Sequence, residues 1–260
     1  MRSSKVRRST GMSPVTRWLS MMAVLFVVGA CASTSPWETM EAEEELWEFA
    51  MEAYEDEDWD DAIGAMEALM FRSPGFERMP ELRMYLARAH FGKGEYLTAA
   101  AEFERFLQRY SNHGLAPEAS LGVCRSHVRL APNPQRDPEH TELAVTTCGQ
   151  TASEFAGMNV AEEARDHRDE MTSRLAQRRL EQARFYQRRA LHDSAIMYFQ
   201  DLVDRFPETE QAARGYLGLY RSYREIGWDE EAERARERLL ENYPDSRAAR
   251  TIREEGGTGE

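Results

Sequence analysis

Alanine and proline stand twelve residues apart three times in this chain: Ala62 with Pro74, Ala195 with Pro207, and Ala232 with Pro244. The residues four and seven places after each alanine are Met66 and Leu69, Phe199 and Leu202, and Arg236 and Leu239. That spacing puts the side chains on one face of a helix. Proline then stops the helix, because it lacks an N–H and disfavours helical backbone in the residue before it. A fourth copy runs Ala99, Phe103, Phe106 to Tyr110-Ser111, and a fifth, weaker one from Ala144 to Phe155-Ala156. The five alanines are separated by 37, 45, 51 and 37 residues. An apolar helical face precedes the first two copies: Leu46, Phe49, Ala50, Ala53 and Tyr54, then Leu82, Tyr85, Leu86 and Ala89 before a turn at Gly92-Lys93-Gly94. The pattern predicts an all-α array of about five helix-turn-helix units, none able to bury its apolar face alone. Glycine and proline together number 26, too few for the regular turns of a sandwich or barrel.

This pattern resembles the tetratricopeptide (TPR) repeat, whose shortest period is about 34 residues. The resemblance implies a right-handed solenoid, in which a small residue lets paired helices approach and an aromatic fills the gap beside it. The longer intervals mark insertions: Ala131–Arg136 in the third unit, and an arginine-rich first helix from about Ala161 to Arg189 in the fourth. Asp137-Pro138 reads as an N-cap followed by proline in the first turn. The expected divisions are units one and two over residues 42–114, unit three over 115–160, units four and five over 161–250, and a disordered tail over 251–260.

Residues 1–30 hold five basic side chains and no acid, ending in an uncharged run from Trp18 to Ala30. Thirteen helical residues span about 20 Å, short of a hydrocarbon core of roughly 30 Å. A basic start, a short apolar stretch and small residues before a cut describe a secretory signal. Val28-Gly29-Ala30-Cys31 resembles the bacterial lipobox, which implies a lipid on the Cys31 thiol and Cys31 as the new N-terminus. The alternative is an ordinary signal peptide with Cys31 near its cut. Acyl chains gain about 0.8 kcal/mol per buried CH₂, so several make a lasting membrane anchor. Residues 31–41 then serve as anchor and tether. Beyond residue 30 there are 28 basic and 46 acidic residues, a net charge of −18 that argues against nucleic-acid binding.

The lipobox, the tether and the five units together resemble the BamD (ComL) family of outer-membrane protein assembly lipoproteins. Arg136-Asp137-Pro138-Glu139-His140 is similar to the family's Arg-Asp-Pro-x-His stretch. Asp204–Thr209 and Asn242–Ser246 are similar to its unit endings. The resemblance implies a non-catalytic scaffold at the periplasmic face of the outer membrane of a Gram-negative-type bacterium. It implies binding to the BamA POTRA domain nearest the barrel, association with other BAM lipoproteins, and receipt of unfolded outer-membrane precursors. N-terminal units are implied in precursor binding and C-terminal units in BamA contact. The alternative is another periplasmic TPR lipoprotein, an adaptor for envelope or peptidoglycan machinery.

Candidate partner-binding residues fall into two groups. Tyr54, Trp59, Tyr85 and Tyr96 either pack as core or wall a groove for an extended peptide. Arg178, Arg179, Arg188 and Arg189 belong to a run that either pairs along an exposed helix or docks an acidic surface. Glu38–Asp61 holds thirteen acids and no base, either a solvated face or a surface for a basic partner. In it Asp56, Asp58, Asp60 and Glu67 match EF-hand positions, but Asp61 replaces the required glycine, so no metal site is expected. Cys124 and Cys148, on the paired helices of unit three, form either a disulfide or two buried thiols. No His-Glu-x-x-His or Gly-x-Ser-x-Gly arrangement occurs, and no cofactor or catalytic residue is expected.

Overall fold

The computed structural model describes residues 35–131 and 138–257; the lipobox with Cys31, and Arg136-Asp137, lie outside the described residues. Eleven α-helices follow a short 3-10 turn at Pro36–Thr39, with no strand among the described residues. Unit one pairs α1 (Glu43–Glu55) with α2 (Trp59–Arg72), and unit two pairs α3 (Met79–Lys93) with α4 (Tyr96–Tyr110). Unit three pairs α5 (Ala116–Leu130) with α6 (Glu139–Glu154), and unit four α7 (Asn159–Gln187) with α8 (His192–Arg205). Unit five pairs α9 (Glu210–Glu225) with α10 (Asp229–Asn242), and α11 (Arg247–Gly257) closes the array. Each helix packs on its chain neighbour, and the first helices of successive units also touch. This is a TPR-like solenoid.

The repeated alanines are the close-approach points. Ala62, Ala99, Ala144 and Ala195 are 0% exposed and Ala232 is 1% exposed, each on the second helix of its unit. Helices α2, α8 and α10 end two residues before Pro74, Pro207 and Pro244. The Tyr243 hydroxyl donates to the Pro207 carbonyl, tying one unit ending to the next. Pro80 and Pro117 occupy the first turns of α3 and α5, where a missing N–H is harmless. Gly94 closes α3 in the left-handed conformation at φ 87°, which glycine adopts without steric cost.

Two joints between units are built alike. Phe103 of α4 lies against Gly122 of α5, and Phe199 of α8 against Gly218 of α9. A Cβ on these glycines would come within 2.7 and 2.3 Å of the ring. Each phenylalanine stands four residues after its unit's alanine, and each glycine nineteen residues further on. In unit three that position is Cys148, which is joined to Cys124 across α5 and α6 with their Cα atoms 4.7 Å apart. Ser120 and Thr151 meet at 2.7 Å between the same two helices. A covalent bond and a buried hydroxyl pair thus stand where neighbouring units use an aromatic ring.

Both ends of the body differ from the expectation. The tether does not run free to residue 41: Trp37 lies over Gly64 and its indole N–H donates to Asp61 at 3.3 Å. A tryptophan that fits against a glycine on α2 has apolar area to bury, which holds the turn in place. Nor is the tail disordered from residue 251, since α11 continues to Gly257. Ala248, Ala249 and Ile252 are buried against the C-terminal core and cover the open face of unit five. The EF-hand-like acids do not share a loop, because Asp60 and Glu67 are already within α2.

Candidate functional site

The aromatic residues of the first units form a connected wall. Tyr54, late in α1, meets Trp59 at 5.5 Å and Tyr85 of α3 at 5.1 Å between ring centres, both edge to face. Tyr85 meets Trp47 at 6.0 Å, and Trp47 meets Phe76 at 5.6 Å. Such contacts add about 0.5–1.5 kcal/mol each beyond area burial. Trp47 and Phe76 are buried, whereas Tyr54, Trp59 and Tyr85 are only partly covered. Burial raises the Tyr54 hydroxyl above its ordinary range, so it stays protonated.

A cavity of about 540 Å³ opens beside this wall, reaching from Tyr54 and Trp59 to Phe91, Phe103 and the α5 face of Glu118 and Arg125. Its floor depends on two glycines. A Cβ on Gly92 would come within 2.7 Å of the Trp59 ring, and one on Gly122 equally close to Phe103. Its rim is charged but neutralised. Arg88 pairs with Glu118 at 2.6 Å and lies over the Tyr85 ring at 5.2 Å. Arg125 grips Glu163 of α7 with two bonds, at 2.6 and 2.7 Å. The Arg125 guanidinium holds the Glu163 carboxyl below its usual range. The result is an apolar hollow with fixed polar edges, suited to a bulky side chain carried on an extended strand.

Tyr96 is not part of this wall. It packs against Phe91 at 5.2 Å, and Arg129 lies over its ring at 4.8 Å and donates to its hydroxyl. Trp59 and Tyr96 hold equivalent places, three residues before Ala62 and Ala99. The residue 33 further on is Gly92 for the first and Arg129 for the second. Glycine leaves the indole beside an open hollow, while arginine covers the phenol. Sequence reasoning missed Phe91, Phe103, Arg88 and Arg125. The usable signal was Gly122 inside a helix, where glycine costs about 1 kcal/mol relative to alanine and so calls for a packing reason; Gly92, read from the sequence as part of a turn, lies in the last turn of α3 instead.

The acidic stretch is partly paired. Glu44 meets Arg78 at 2.6 Å, and Lys93 bridges Asp60 at 2.8 Å and Glu95 at 2.7 Å. Its hydrogen bonds to these two carboxylates raise the Lys93 ammonium above its ordinary range.

The arginine run on α7 does not form one face, because successive helical residues point about 100° apart. Arg179 pairs with Asp201 of α8 at 2.6 Å and lies 5.6 Å from the Tyr198 ring. Arg178 and Arg179 both line a small hollow with Glu142 and Arg205. Arg188 caps the end of α7, and Arg189 stacks on Phe185 at 3.6 Å. Among the described residues no cluster of three or more His, Cys, Asp or Glu could hold a metal, and no helix is long and apolar enough to cross a membrane.

Residues 39–239 match the YfiO family model, described as outer membrane lipoprotein. The outer membrane protein assembly factor BamD of Vibrio cholerae is 24% identical over 86% of this chain and 97% of its own length. The protein of the same description from Caulobacter vibrioides is 22% identical over 88% of this chain and 76% of its own. Among solved structures, the TPR2AB domain of yeast Sti1 in its pHSP90 complex is 15% identical, with a TM-score of 0.44 over 78% of each chain.

Proposed function

The chain belongs to the YfiO family of outer membrane lipoproteins, and from that premise we propose that it is a scaffold of the outer-membrane β-barrel assembly machinery. In this reading it binds BamA and helps receive unfolded barrel precursors. It is held at the periplasmic face by a lipid on Cys31, and it performs no catalysis.

The observation that carries precursor receipt is the aromatic cavity of units one to three. Barrel strands alternate lipid-facing apolar residues with polar ones and carry aromatic girdles at the membrane interfaces. An extended precursor segment therefore offers apolar side chains at alternate residues, about 7 Å apart, with large aromatic rings toward the ends of each strand. The hollow beside Tyr54 and Trp59 accepts one such ring. Burying an aromatic of roughly 200 Å² gains about 5 kcal/mol before association costs. Those costs consume much of the gain, leaving a weak, quickly reversed hold. A receptor that must pass its cargo onward needs that property.

The test is fluorescence titration of the detergent-solubilised full chain with a peptide of alternating polar and aromatic residues. Trp59→Ala, or Gly92→Leu to displace the Trp59 ring, should weaken binding about tenfold or more. Unchanged affinity in both variants, with native helicity retained, would remove precursor receipt from the account. A chain that binds the peptide but never BamA would instead favour the adaptor reading.

A further inference from the structure

The packing of α5 on α6 brings two histidines together. His127 lies in the last turn of α5 and His140 in the first turn of α6. Their rings are 24° from parallel, with centres 5.9 Å apart. His127 is 7% exposed. The Nδ1 atoms of both rings are buried, and neither has a hydrogen-bond partner among the described residues. A buried polar nitrogen without a partner is costly, and two of them on adjoining rings call for a shared ligand. Burial, and then the adjacent His140, lower the proton affinity of His127, so its imidazole is neutral at pH 7 and keeps a lone pair. The Glu104 carboxylate of α4 acts in the other direction and favours positive charge beside that ring.

We propose that His127 and His140 form a binding site for a transition-metal ion of the zinc and copper class, held by one nitrogen of each imidazole and completed by water. Three features favour that ligand. Neutral imidazole is the donor that zinc, copper and nickel accept, whereas calcium and magnesium require oxygen. With metal–nitrogen bonds of about 2.0–2.1 Å, one ion spans ring centres separated by up to roughly 6.4 Å, and these two are within that reach. The site is also held in advance of binding. Cys124, one turn before His127, is bonded to Cys148 of α6, which prevents the helices that carry the pair from sliding apart. A bridging water would satisfy the same two nitrogens, and the experiment separates the two occupants. The site depends neither on the aromatic cavity nor on the scaffold role.

The experiment is isothermal titration calorimetry of the detergent-solubilised full chain, stripped with EDTA and dialysed, against zinc chloride, with magnesium chloride as the comparison. Zinc should bind with one ion per chain and magnesium should not. At a free zinc concentration a hundredfold above Kd, the melting temperature should rise by roughly 5–10 °C. His127→Gln and His140→Gln should each weaken zinc binding at least about tenfold. His140→Gln, in the first turn of α6, is the variant read if His127→Gln does not fold. His192→Gln removes another buried and unpartnered Nδ1, on α8, and should leave zinc binding unchanged. Absence of zinc binding overturns the proposal and assigns the two nitrogens to water. Unchanged zinc affinity in well-folded His127 and His140 variants overturns it too, because other side chains then hold the ion. Equal binding of magnesium would also overturn it, since a site selected by charge alone needs no imidazole.

Discussion

Removing the Cys124–Cys148 bond tests how the middle of the solenoid is held. The bond closes a separation of 24 residues between α5 and α6. Cross-linking a loop of that length lowers the entropy of the unfolded chain by about 11–12 cal/mol/K, or about 3.4 kcal/mol at 25 °C. Unit three has no aromatic at position 148 to compensate, and the Ser120–Thr151 contact returns only about 1 kcal/mol. For a chain of this size each kcal/mol moves the melting temperature by roughly 2–4 °C, so the loss should be about 7–14 °C. The assay is circular dichroism at 222 nm on the full chain with and without reductant, beside the Cys124→Ala/Cys148→Ala variant. Reduced wild type and the double variant should melt together, and the variant should ignore reductant. Coincident melts of oxidised and reduced wild type would refute the reasoning, and packing alone would then account for unit three.

Four further outcomes follow from individual contacts. Gly218→Ala drives a methyl into the Phe199 ring and should cost about 1–3 kcal/mol in urea unfolding. Gly149→Ala, whose methyl meets only Arg168 at 3.7 Å, should be neutral or gain up to about 1 kcal/mol from helix propensity. Burial and the adjacent His140 hold the His127 imidazole below its ordinary range, with the rings stacked at 5.9 Å. The unfolded chain then binds more protons as pH falls through about 6.5, so stability should drop on acidification below that point. His127→Gln should flatten the dependence of the urea midpoint between pH 7.5 and 5.5. Phe199→Ala removes one of the largest fully buried side chains and should cost about 3–5 kcal/mol, read from the same urea curves.

The repeat was legible because it rests on steric requirements that few residues meet. Alanine at the helix crossing recurs in all five units and is buried in each, an apolar residue seven places on in four, and proline past the end in three. Features that depend on contacts outside the repeat were not legible. The 3-10 turn with Trp37 is too short for any periodicity, and it is held by Gly64, Asp61 and Arg72 of α2. Helix α11 lacks the alanine-to-proline spacing that marks the units, although Ala248, Ala249 and Ile252 carry the i, i+4 spacing that marks its buried face. The arginine run was visible, but adjacency along one helix is a poor guide to a shared surface. Arg184 gathers with Arg214, Arg221 and Arg247, 30 to 63 positions away, while Arg179, five residues before it, turns to Asp201 on another helix. Comparing equivalent positions would have separated Trp59 from Tyr96, since the residue 33 places later decides whether the ring faces a hollow or a guanidinium.

The most direct test of the proposed scaffold role is affinity isolation of the full chain from detergent-solubilised outer membranes, with the bound proteins quantified by mass spectrometry. The account predicts BamA in near-stoichiometric amount with the intact chain. Complete absence of BamA, with the chain itself intact and membrane-associated, would contradict it.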